Sequence, residues 1–224
     1  MSDRTPSPAQ PADGPQPASD RVRLRRKPMR GRHDRLEIDA IIDASLIGTI
    51  SFVHDGQPYG IPTNIWREGD RLYWHGSAGS RLLRVTNGSP VCVTLFHLDG
   101  MVLARSATNH SVNYRSVVIL GTAHLLTDTG QAEHALEGLI ESIYPGRWAQ
   151  LRPMTEKERK ETGVMFVDLA EASAKVRAEG AHDDPGDETW PVWAGVIPVQ
   201  TVRGAPEADE FVRPGTPLPT VRNP

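Results

Sequence analysis

The chain is 224 residues long, 38% hydrophobic and 24% charged, with 25 Lys and Arg against 28 Asp and Glu for a formal net charge of −3. That length and apolar share support one sizeable core. The charge balance removes the general electrostatic case for nucleic-acid binding, and the single cysteine, Cys92, excludes an intrachain disulfide and a thiolate metal cluster.

Residues 1–20 are dominated by Pro, Ala, Ser, Gln and Asp, a composition too poor in apolar groups to offset the entropy of ordering, and read as a disordered tail. A domain follows over 21–202. It opens on a basic arm, Arg21 to Arg32, which lies along the domain or a partner, or is simply solvated. From Arg35 to Ala44, Leu36, Ile38, Ile41 and Ile42 recur at helical spacing and predict a short amphipathic helix. Leu46 to Val53 and Tyr59 to Trp66 read as a hairpin turning at Asp55-Gly56. A second turn at Gly69-Asp70 leads into the strand Arg71 to His75, then a helix from Ser80 to Thr86 stopped by Asn87-Gly88. Val91 to Phe96 and Met101 to Ala107 read as two strands around Leu98-Asp99-Gly100, and Val112 to Leu126 as one long strand in which Gly121 marks a bulge or bend. Gln131 to Ile143 carries a helical apolar face announced by Asp128, and Thr155 to Glu158 a capping-box pattern. Val164 to Leu169, Ala174 to Ala178 and Trp193 to Val199 complete the strands, with Glu179 to Thr189 long enough to act as a flap and 203–224 a polar tail. Strands at this short spacing with a few appended helices predict a mainly β chain forming an antiparallel barrel.

No apolar run approaches the roughly 18 residues of a membrane helix and the N-terminus lacks an apolar signal core, so a soluble cytoplasmic protein without membrane or nucleic-acid partners is expected.

The chemistry concentrates where the strand Arg71 to His75 gives way to Gly76, Ser77, Gly79 and Ser80. Glycines there let a ligand approach the backbone, amide N–H groups at a helix start favour an anion, and Arg81 and Arg84 follow on the first turns. Both arginines also read as helix-surface charges, and both serines as capping residues. Arg115 interrupts an apolar strand, so it is either exposed or paired to an anion or carboxylate. Cys92, between Val91 and Val93, reads as an inert buried thiol. His97, His110 and His124 make no ligand spacing with a carboxylate, and no metal is expected.

Three segments resemble the pyridoxamine 5'-phosphate oxidase-like, FMN-binding split-barrel family, and within it the nitroimidazole-reductase-like branch. Ser80-Arg81 resembles the family's phosphate-binding Ser-Arg-Lys element, Tyr114-Arg115-Ser116-Val117-Val118-Ile119-Leu120-Gly121 its flavin-contacting central strand, and Trp193-Ala194-Gly195-Val196-Ile197-Pro198 its closing Trp-x-Gly strand. The likeness covers about residues 30–200. Leu82 stands where the oxidases have lysine, and no counterpart of their substrate-phosphate grip is found, which argues against vitamin B6 oxidation. The resemblance implies an antiparallel split β-barrel homodimer with FMN held by Arg81 and Arg84, by the hydroxyls of Ser77 and Ser80, by the backbone of Ile61, Pro62 and Thr63, and by Tyr114, Arg115, Ser116 and His75. Trp193 is a core residue or a wall against the flavin. His75 is placed beside flavin and substrate as a proton donor, or packs as part of the wall. The implied activity is an FMN-dependent oxidoreductase acting on a small nitro or quinone-like acceptor. Three rivals stand beside it: a deazaflavin-dependent reductase of the same fold, a non-catalytic flavin- or haem-binding protein, and a regulatory protein working through the basic arm.

Overall fold

The computed structural model describes residues 15–222. Of the tail expected over 1–20, residues 1–14 lie outside the described residues, while the Ser19 hydroxyl already reaches the Glu171 carboxylate. The basic arm lies on the domain: Val22 is buried, Arg21 pairs with Glu171 at 3.0 Å, and Arg30 grips Glu179 through Nε at 3.1 Å and Nη2 at 2.6 Å.

The elements run β1 (Gly31–Arg32), α1 (Arg35–Asp43), β2 (Ile47–His54), β3 (Gln57–Glu68), β4 (Arg71–Ser77), α2 (Arg81–Thr86), β5 (Pro90–Leu103), β6 (Ser111–Thr122), β7 (His124–Leu125), α3 (Thr129–Ile143), α4 (Glu156–Glu161), β8 (Thr162–Asp168), β9 (Ala172–Arg177) and β10 (Gly195–Pro198). Neighbours along the sheet are β1-β9-β6-β5-β2-β3-β4-β8-β7, with β10 added to β5, and the strand pairs are antiparallel. No helix among the described residues is long and apolar enough to cross a membrane.

The β2–β3 hairpin closes on Asp55 and Gly56, both at positive φ (51° and 76°), the backbone of a two-residue turn matched to strand twist. Helix α1 starts where Asp34 accepts from the Glu37 amide at 3.0 Å, and buries Ile38, Ile41 and Ile42. Together with Ile50, Ile65, Leu72, Trp74, Val93, Val117, Ile119 and Met165 they make the barrel core. The opposite face of the β3–β4–β8 sheet carries Trp66, Tyr73 and Val164, which α3 covers with Ala135 and Leu139. This second layer follows from strand alternation: Leu72 and Trp74 face the barrel, Tyr73 faces α3.

Three sequence expectations are corrected. Val91 to Phe96 and Met101 to Leu103 are parts of one strand, β5, because Leu98 to Gly100 is a bulge against β6 rather than a turn, and the second expected strand stops at Leu103 instead of reaching Ala107; Asp99 is used to hold Arg115. The strand expected over Val112 to Leu126 ends at Thr122, and His124–Leu125 leaves to pair with β8. Gly121 is the point of close approach there, since a Cβ would stand 2.5 Å from Val167 Cγ2. The last strand begins at Gly195, leaving Trp193 before it and exposed.

The segment expected to act as a flap is pinned. Asp183 accepts from the Arg105 amide and Nη1, both at 2.6 Å, and buried Arg177 donates to the carbonyls of Glu179 and Gly180. At the C-terminal end, the Arg222 amide donates to the Ile143 carbonyl at 2.9 Å, laying the tail against the end of α3.

Candidate functional site

Strand β3 is paired with β2 over its first eight residues, from His54↔Gln57 to Ile47↔Asn64. On its other side it pairs with β4 only from Ile65↔Trp74 to Glu68↔Arg71. Strand β4 instead follows β8 to its end, Ser77↔Thr162. The two strands therefore diverge, and the edge of β3 from Gln57 to Asn64 faces an opening with no strand partner among the described residues. Ile61, Pro62 and Thr63 sit in the middle of that edge. Pro62 has no N–H, so Ile61 and Thr63 spend their backbone groups on β2, while the Gly60 backbone and the Pro62 carbonyl turn to the opening.

The β4–α2 turn stands across the opening. Its geometry is fixed by three bonds: the Ala78 amide to the Glu161 carbonyl at 2.8 Å, the Ser80 amide to the Ser77 carbonyl at 2.8 Å, and the Leu83 amide to Ser80 Oγ at 3.3 Å. Ser80 thus caps α2, as its position predicts, while the exposed Ser77 hydroxyl makes no hydrogen bond among the described residues. Leu82 and Leu83 anchor the helix in the core and turn Arg81 and Arg84 outward. The Arg81 guanidinium lies over the Tyr59 ring, 5.3 Å from its centroid, so α2 begins opposite the free edge of β3. Neither Arg81 nor Arg84 has a carboxylate within ion-pair distance among the described residues. Tyr59, this platform, is missing from the site residues expected from sequence; an aromatic opposite the basic turn is the one signal that could have found it.

His75 shares the α3-side face of β4 with Tyr73. Its ring lies 6.0 Å from Trp66, its Nδ1 is enclosed without a partner, and burial pushes its pKa below the ordinary histidine value. It is held neutral, a state that offers one N–H but no additional proton.

The remaining expected residues form a second patch. Tyr114 and Ser116 lie opposite Leu98 and Phe96 on the outer face of β5 and β6, with Val118 beside them. Phe96 is 75% exposed. Arg115 resolves its open alternatives in favour of a carboxylate: Asp99 accepts from its Nε at 3.0 Å and Nη2 at 2.9 Å, and this pairing raises the guanidinium pKa. Trp193 is 63% exposed near the Leu103 end of β5. Two strands, β5 and β2, separate β6 from β3, so within one protomer the patch and the split edge are distinct.

The sequence pattern of the pyridoxamine 5'-phosphate oxidase family matches residues 34–176, the span from the α1 cap through the barrel to β9. This chain belongs to that family. Among solved structures, the family fold is matched by the flavocytochrome Anf3 from Azotobacter vinelandii, 40% identical over 92% of this chain and 96% of that one, with a TM-score of 0.87. A FAD and haem binding protein from Mycobacterium smegmatis is 35% identical over 85% of this chain and 94% of that one, with a TM-score of 0.81. No curated protein sequence gives a significant match. Family membership covers the loop, the split edge and the outer patch alike, since all but Trp193 fall within the matched residues.

Proposed function

We propose that this chain is a flavin-binding oxidoreductase that works as a homodimer, with the FMN moiety at the β4–α2 turn. The observation that carries the reading is Arg81: an exposed guanidinium without a carboxylate partner among the described residues, stacked on Tyr59 at the mouth of the split between β3 and β4. The residues fit the group. Arg81 would answer the phosphate, Ser77 and Ser80 would add hydroxyl contacts, and the β3 edge at Ile61, Pro62 and Thr63 would line the flavin, with the Pro62 carbonyl as the acceptor turned away from β2. A bound flavin would supply one- and two-electron transfer, and the protein positions it and governs access. The relatives named for a flavin and for FAD support the same assignment.

The dimer is supported by the outer patch. Phe96, Leu98 and Val118 are exposed around Tyr114 and Ser116, and a second copy covering them would carry both polar residues to an interface. His75, held neutral by burial, would serve the acceptor as a hydrogen-bond donor or wall more readily than as a store of protons.

A second reading, haem binding alongside the flavin, is favoured by the names of both relatives. His33 and His75 keep ring nitrogens without partners, yet neither lines any of the three described cavities. The test of both readings is the absorption spectrum of the purified protein followed by mass spectrometry of the released chromophore. A flavin spectrum supports the proposal, an added Soret band supports the second reading, and a colourless protein that takes up no flavin on titration overturns both.

A further inference from the structure

The basic arm closes over the outer face of β9. Val22 is buried and Arg21 holds Glu171 at one end, while Arg30 holds Glu179 at the other, so the stretch between them is fixed at both ends. Beneath it lies a cavity of about 290 Å³, walled by Leu24, Arg25 and Arg26 from the arm and by Ser173 and Lys175 from β9. Strand alternation explains the lining: Ala172 and Ala174 pack into the barrel core, which turns Ser173 and Lys175 to the outer face. The register with β6 sets Val118 opposite Ser173 and Ser116 opposite Lys175, and both complete the wall.

The charge in this cavity is largely unanswered. Among the described residues neither Arg26 nor Lys175 has a carboxylate within ion-pair distance. Arg25 reaches Asp20 at 2.6 Å, but that carboxylate also holds Arg23 at 3.0 Å. Ser173 is the observation that turns a basic patch into a site. It is only 6% exposed, it lines the cavity, and its hydroxyl makes no hydrogen bond among the described residues. The Ser116 hydroxyl, by contrast, is already spent on the Lys175 carbonyl at 3.3 Å. A buried hydroxyl without a partner costs free energy that a ligand oxygen would recover.

We propose that this cavity binds a small phosphate monoester, its phosphate held by Arg26, Lys175 and the Ser173 hydroxyl and its organic body lying against Leu24 and Val118. A monoester carries close to two charges and three terminal oxygens, which answers several cations and a hydroxyl donor more fully than the single charge of a carboxylate. The recess suits a small molecule rather than a nucleic acid, since no aromatic side chain lines it for a base to stack on. The inference stands apart from the flavin reading: no residue of the β4–α2 turn lines this cavity, and along the sheet β6, β5 and β2 separate β9 from β3. Ser116 and Val118 are shared with the outer patch, which puts the cavity at the border of the face assigned to a second copy, with Arg25 and Arg26 exposed on the arm side.

The experiment is calorimetric titration of the full chain with phenyl phosphate, inorganic phosphate and phenol, in wild type and in Lys175→Gln, Arg26→Gln, Ser173→Ala and Arg81→Ala. Wild type should bind phenyl phosphate, inorganic phosphate more weakly, and phenol not at all. Lys175→Gln and Arg26→Gln change side chains outside the core and leave the fold intact; each should weaken phenyl phosphate about tenfold or more, and Ser173→Ala about two- to tenfold. Arg81→Ala should retain the binding that Lys175→Gln weakens. If Arg81→Ala abolishes binding and Lys175→Gln leaves it untouched, the phosphate sits at the β4–α2 turn; the inference is then overturned and the flavin reading stands. Absence of phenyl phosphate binding overturns the inference as well, and so does inorganic phosphate binding as tightly as the ester, which would leave a site for the free anion alone.

Discussion

Arg81 and two half-buried histidines, His33 and His75, carry the tests at the scale of the residue. A charge-assisted contact to phosphate is worth about 1.5–3 kcal/mol, so Arg81→Ala should weaken flavin binding roughly 10- to 100-fold while the fold survives, because the side chain is exposed and only its neighbours Leu82 and Leu83 are packed. Isothermal or fluorescence titration reads this directly. His33 and His75 are both held below the ordinary histidine pKa of 6.5, chiefly by burial, with Arg23 adding to the effect at His33. The unfolded chain therefore takes up protons before the folded one does. Stability should be undiminished above about pH 6.5 and fall as the pH drops through that value toward the lower folded-state pKa. Denaturant unfolding of wild type across that window should show the slope, and His75→Gln should flatten it; a stability independent of pH there would contradict the burial argument. The sequence singles out Arg81, Ser80 and His75 because polar residues at a strand-to-helix junction are visible in one dimension. It does not show which face of β4 His75 takes, or that Tyr59 lies under Arg81, since both depend on where the strands diverge.

Among the elements, the legible ones are those with a local cause. The β2–β3 turn is written in Asp55-Gly56, α3 in Asp128, whose carboxylate accepts from the Gln131 amide at 2.8 Å, and α4 in the reciprocal bonds of Thr155 and Glu158. Removing the α3 cap with Asp128→Ala should cost about 1 kcal/mol, measured as a shift in denaturation midpoint at unchanged slope. The illegible elements have non-local causes. Leu98-Asp99-Gly100 has the composition of a turn, but β6 runs beside it throughout and Arg115 takes the Asp99 side chain, so the chain bulges instead of reversing. The break at Ala123 is equally hidden, because its causes are distant in sequence: the Ala123 backbone bonds to Gly88 and Ser89, Asn87 accepts from the Leu125 amide, and His124 pairs with β8. Gly121 reads as a bend in one dimension and is a contact in three: Gly121→Ala places a methyl 2.5 Å from Val167 Cγ2 and should destabilise by about 1–3 kcal/mol, a loss that Val167→Ala in the same chain would partly restore.

For the whole molecule, the expected site residues divide into a split edge and an outer patch, and the proposed homodimer is the arrangement that would bring the patch into the function. If a second copy covers Phe96, Leu98 and Val118, Phe96→Glu should yield monomers by light scattering and lower flavin affinity, although β5 and the β4–α2 turn are separated by two strands in the same chain. A wild-type monomer holding stoichiometric flavin would contradict the dimer. The central claim is nearer the turn itself, that the Arg81 side of the β3–β4 split is where the flavin phosphate sits. Titration of flavin-free wild type and Arg81→Ala with FMN tests it most directly: the account predicts one flavin per protomer in wild type and an affinity weakened roughly 10- to 100-fold in the variant, whereas equal affinity in a folded Arg81→Ala protein would contradict it.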